Sequence, residues 1–69
     1  MTKKAVVKEL RKHFGSTIDL WYDRSVGSWV FIGECTEEWS DRYACVYRLS
    51  DCTIQDWVEI AKMFSDNQL

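Results

Sequence analysis

The chain has 69 residues, 46% of them apolar and 29% charged, with a formal net charge of −2. That balance excludes a disordered tail, and the length fits one small domain that buries only about 60% of its unfolded surface. No run of about 18 apolar residues is present, so no segment reads as membrane-spanning. The Lys-rich start leads into alternating charge and not an apolar stretch, so it does not read as a secretory signal, and a cytoplasmic protein is expected.

Residues 3–14 carry Val6, Val7, Leu10 and Phe14 at helical spacing, with Lys4, Lys8, Arg11 and Lys12 opposite. Thr2 is placed to cap this helix and Gly15 to end it. Thr17–Asp23 alternates, with Ile18, Leu20 and Tyr22 on one face and Asp19 and Trp21 on the other, which predicts a strand. A short polar turn over 24–27 leads into a second predicted strand, Ser28–Cys35. Thr36–Asp41 predicts an acidic turn around Trp39, and Arg42–Leu49 a third strand. Thr53 and Asp56 stand at capping-box spacing before a last helix whose apolar stripe is Ile54, Trp57, Val58, Ala61 and Phe64. That helix is expected to fray at Asn67, Gln68 and Leu69.

The fold expected is therefore α+β, a single two-layer domain over residues 1–69 in the order α-β-β-β-α, with a three-stranded antiparallel sheet. Both faces of the sheet read as apolar. Val30, Ile32, Ala44 and Val46 make a small set, while Trp29, Phe31, Cys35, Tyr43, Cys45 and Tyr47 make a bulky one. Alternation alone leaves open which set the helices cover.

Cofactor and enzyme chemistry find little support. Cys35, Cys45 and Cys52 are an odd number, which argues against a disulfide framework. With His13 they show neither C-x-x-C nor H-x₃₋₅-H spacing, so no metal site is expected. His13, the sole histidine, has no evident nucleophile or carboxylate partner, and there is no glycine-rich phosphate loop or paired-carboxylate motif. No catalytic residue and no cofactor is expected, and the protein reads as one that works by binding.

Charge is the most informative pattern. Met1–Phe14 carries a net +4, and the rest of the chain carries −6. The acids cluster as Glu34, Glu37, Glu38 and Asp41 around the second turn, and as Asp51, Asp56 and Glu59 at the start of the last helix. Trp39, flanked by Glu38 and Ser40, reads either as an interface anchor or as a ring folded back onto the sheet. A Lys/Arg-lined nucleic-acid site would attract such a surface. The simpler account is that turns and helix starts are where carboxylates normally sit. For the basic helix, a solvated face is the simpler account, and the acidic pI of 5.2 speaks against direct nucleic-acid binding.

In length, in the absence of catalytic motifs, in its helix–sheet–helix order and in the acids Glu34, Glu37, Glu38, Asp41, Asp51, Asp56 and Glu59, the chain resembles small phage-encoded anti-CRISPR proteins, particularly inhibitors of type I systems. The resemblance implies a viral protein that inhibits by DNA mimicry. Its partner would be a host protein complex with a basic nucleic-acid site, such as a type I surveillance complex, and its acids with Trp39 would block access to target DNA. The basic first helix departs from a uniformly acidic mimic, which would make any mimicry one-sided. Two alternatives stand beside it: an adaptor or weak homodimer using an exposed aromatic sheet face, and a small single-strand nucleic-acid binder.

Overall fold

A computed structural model describes residues 1–66, in the order α1 (Lys3–Phe14), β1 (Asp19–Asp23), β2 (Ser28–Ile32) and α2 (Ile54–Asp66). Short 3-10 turns lie at Glu34–Thr36 and Leu49–Asp51. The fraying expected at 67–69 falls outside the described residues.

Both helices begin as their side chains dictate. Thr2 Oγ1 accepts the Ala5 N–H at 3.2 Å, and α1 ends at Gly15, where φ turns to 97° and the N–H donates back to Arg11 C=O. At α2 the capping box is complete. Asp56 N–H donates to Thr53 Oγ1 and Thr53 N–H donates to Asp56 Oδ2, both at 3.1 Å.

β1 and β2 pair antiparallel, with Leu20 opposite Phe31, Trp21 opposite Val30 and Tyr22 opposite Trp29. The second strand is shorter than its residues predict. Gly33 (φ 128°) turns the chain so sharply that a Cβ there would lie 2.3 Å from Thr17 C=O, and a 3-10 turn follows. Extended pairing cannot continue past that close approach.

The expected third strand is not formed. Residues 42–46 run beside β2 and make three backbone hydrogen bonds with it: Phe31 N–H to Arg42 C=O (2.7 Å), Ala44 N–H to Trp29 C=O (2.9 Å) and Trp29 N–H to Val46 C=O (3.1 Å). A regular ladder would pair both Trp29 groups with residue 44. Here the second acceptor lies two residues further on, and Cys45 between them adopts φ 59°. The segment bulges, and the regular sheet has two strands.

Cross-strand pairs share a face, so Leu20, Tyr22, Trp29 and Phe31 point together, and they point toward the helices. Phe31 meets Trp57 (ring centroids 5.9 Å apart), Phe64 (6.0 Å) and Trp39 (5.6 Å). Trp57 is fully buried, and its indole N–H donates to Leu49 C=O at 3.0 Å. The open face carries Trp21, Val30, Ile32 and Tyr43. Two helices over a narrow hairpin leave a gap that Val and Ile are too short to fill to native density, so the larger rings turn inward.

Candidate functional site

The two helices run in the same sense. Trp39 packs edge-on against Phe14, the last residue of α1, with centroids 5.4 Å apart, and Ser40 Oγ donates to Phe64 C=O near the end of α2 at 3.4 Å. The turn over 34–41 therefore caps both helix C-termini. At the other end, Lys3 shares a groove with Tyr22, Arg24 and Trp29 beside the hairpin turn.

This arrangement sorts the eight residues expected to bind a partner. Glu34, Glu37, Glu38, Asp41, Asp51, Asp56 and Glu59 are all exposed, but their circumstances differ. Asp41 accepts the N–H groups of Arg42 (2.7 Å) and Tyr43 (3.0 Å). Asp51 accepts the Arg48 N–H and Asp56 caps α2. Both lie near the positive end of α2, where the dipole favours acids. Glu59 accepts from the Gln55 amide and lies 4.0 Å from Lys62 Nζ. Glu34, Glu37 and Glu38, by contrast, make no side-chain hydrogen bond or ion pair among the described residues. They crowd one turn at the negative ends of two helices. The last turn of α1 carries Arg11, Lys12 and His13, basic residues that offset the negative helix end beside this turn.

The two acid groups do not lie side by side. Residues 54 and 64 of α2 are separated by about 15 Å of helix rise, with Glu59 between them. Trp39 is not an exposed anchor. It is half-buried between Phe14 and Phe31, and it holds the acidic turn in place. The Thr36 hydroxyl, fully buried, donates to Gly33 C=O at 2.8 Å and stiffens the same turn. The carboxylates are therefore presented from a braced loop, which lowers the ordering entropy that docking must overcome.

The bulky sheet set, which alternation assigns to neither face, is divided. Trp29 and Phe31 face the helices, and the open face shows Trp21 (60% exposed), Tyr43 (38%) and Ile32 (37%). Tyr43 OH donates to Asp23 Oδ2 at 3.0 Å. Asp23 also accepts from Ser25 Oγ and N–H, and these bonds hold its carboxyl below the usual range, the Ser25 hydroxyl contributing most. Cys45, expected in a strand, is exposed on the bulge, while Cys35 and Cys52 are half-buried. Burial, then Asp56 and Asp51, push the Cys52 thiol up. His13 Nε2 lies 3.7 Å from Glu9 Oε2 on the outside of α1.

A furrow runs between α1 and the edge of β1. An open groove of about 590 Å³ is lined by Lys3, Lys4, Val7, Lys8, Arg11 and Asp19. It adjoins one of about 470 Å³ lined by Lys3, Trp21, Tyr22, Arg24 and Trp29. In the sequence its cations show as the basic face of the first helix, and Trp21 as a residue alternating out of the core.

The chain matches no protein-family profile, no curated protein and no solved structure. No helix among the described residues is long and apolar enough to cross a membrane.

Proposed function

We propose that the protein is a non-enzymatic inhibitor of the anti-CRISPR kind, whose acidic turn docks on a Lys/Arg-lined nucleic-acid site and blocks access to target DNA. The observation that supports this reading is the position of Glu34, Glu37 and Glu38. Three exposed carboxylates, without hydrogen-bond or ion-pair partners among the described residues, are held together on a braced turn beside the C-terminal ends of both helices. Carboxylates that serve no local contact remain available to a basic partner surface. Asp41 adds to this edge while accepting two backbone N–H groups, and Asp51, Asp56 and Glu59, which also have local partners, serve as flanking charge.

The test uses a purified type I surveillance complex and its target duplex, with binding followed by mobility shift. The protein should block duplex binding at one equivalent, less so at high salt, and the E34Q/E37Q/E38Q variant should fail to block. Equal blocking by wild type and variant, or by neither, would count against the reading.

The open sheet face favours a second, weaker contact. Three neighbouring segments of about five residues span roughly 17 by 14 Å, well short of the ~800 Å² per partner that a stable interface needs. On that area an adaptor contact or homodimer through this face is transient, and a monomer is expected in dilute solution.

A further inference from the structure

Between them, α1 and the outer edge of β1 form one continuous furrow, because Lys3 lines both of its halves. Its cations are Lys3, Lys4, Lys8 and Arg11 from α1 and Arg24 from the hairpin, against Asp19 alone among the lining residues. We propose that this furrow binds a single strand of nucleic acid, with the phosphates along the α1 cations and a base stacked on Trp21.

Three observations carry this. The cations are placed and available: Arg11 Nε donates to Ile18 C=O at 3.0 Å, and the side chains of Lys3 and Arg11 are each 46% exposed. Asp19 sits between them, 3.9 Å from Lys3 Nζ and 4.0 Å from Arg11 Nη2, at distances too long for strong pairing, so an incoming phosphate can displace it. Trp21 offers an exposed indole at the furrow's rim, the sequence-tolerant platform that single-strand binders use.

Size decides the form of ligand. β1 and the first turn residue extend over about 17 Å, room for about five stacked nucleotides at 3.4 Å each. Helical spacing alone makes these cations look like a solvated face. Only the fold sets them beside Trp21.

The probe is a fluorescein-labelled ten-residue oligothymidylate, read by anisotropy at low salt, with a duplex of equal length and poly-glutamate as competitors. Single-strand binding is expected, weakening with salt at a logarithmic slope of roughly −2 to −3, as three to four displaced counterions require. Trp21→Ala should weaken it roughly five- to hundredfold. That residue is exposed, and far-UV circular dichroism confirms that the variant folds. Asp19→Asn retains the oxygen that accepts the Leu20 N–H, and by releasing Lys3 and Arg11 it should tighten binding several-fold. An absence of binding at low salt would overturn the proposal. So would a duplex that binds more tightly, poly-glutamate that competes equally well, or a Trp21→Ala variant that binds like wild type. The E34Q/E37Q/E38Q variant should bind the oligonucleotide at least as well as wild type, which separates this site from the acidic turn.

Discussion

Cys45 adopts φ 59° in the middle of an apolar segment, a conformation that costs most L-residues about 1–2 kcal/mol. Asparagine tolerates that region because its short amide bonds locally. Cys45→Asn should therefore leave stability unchanged or raise it, while β-branched Cys45→Val should lower it by about 1–2 kcal/mol in urea unfolding. Equal loss in both variants would mean that the bulge relaxes into a regular strand. Asp23 makes a second prediction at this scale. Its carboxylate accepts from Ser25 and Tyr43 and titrates below its ordinary value of 3.8. The stability it contributes is fully present above that value and is lost as pH falls through the lower, folded-state value. The gap in urea midpoint between wild type and Asp23→Asn should thus narrow between pH 6 and pH 2.5. A gap that holds constant would show that the charge on Asp23 adds nothing.

Gly33 is the hinge on which the elements turn. It ends β2, brings the chain against Thr17 and launches the turn that carries Glu34, Glu37 and Glu38. Gly33→Ala adds a Cβ against backbone and should cost about 2–4 kcal/mol, measured by thermal or urea unfolding. Near-wild-type stability would mean that the turn has room to shift. The elements that local chemistry specifies were legible in the residues: both helices, with Thr2 and the Thr53–Asp56 box at their starts, and the hairpin around residues 24–27. The third strand was misread because Arg42–Leu49 alternates as a strand should, while a left-handed residue and two inserted positions are features of pairing with β2 and not of the segment itself. For the same reason alternation could not say which sheet face lies inward. That depends on the gap between helices and hairpin, which rings from both layers must fill together.

The molecule measures about 29 × 26 × 17 Å, and its charge is arranged along and across that frame. Lys3, Lys4, Lys8, Arg11 and Arg24 gather along α1 and the β1 edge, and Glu34, Glu37, Glu38 and Asp41 at the shared end of the two helices. The acid clusters were visible in the sequence as a list. Their separation by the length of α2, the local employment of Asp51 and Asp56, and the inward turn of Trp39 all required the fold. The carboxylates of the acidic turn are held for a partner and add nothing to the fold, and urea unfolding of E34Q/E37Q/E38Q beside wild type, at low and at high salt, tests this without knowledge of the partner. The variant should match wild type within about 0.5 kcal/mol at both salt concentrations. A variant less stable than wild type at low salt would show that these carboxylates support the fold, and would contradict the claim.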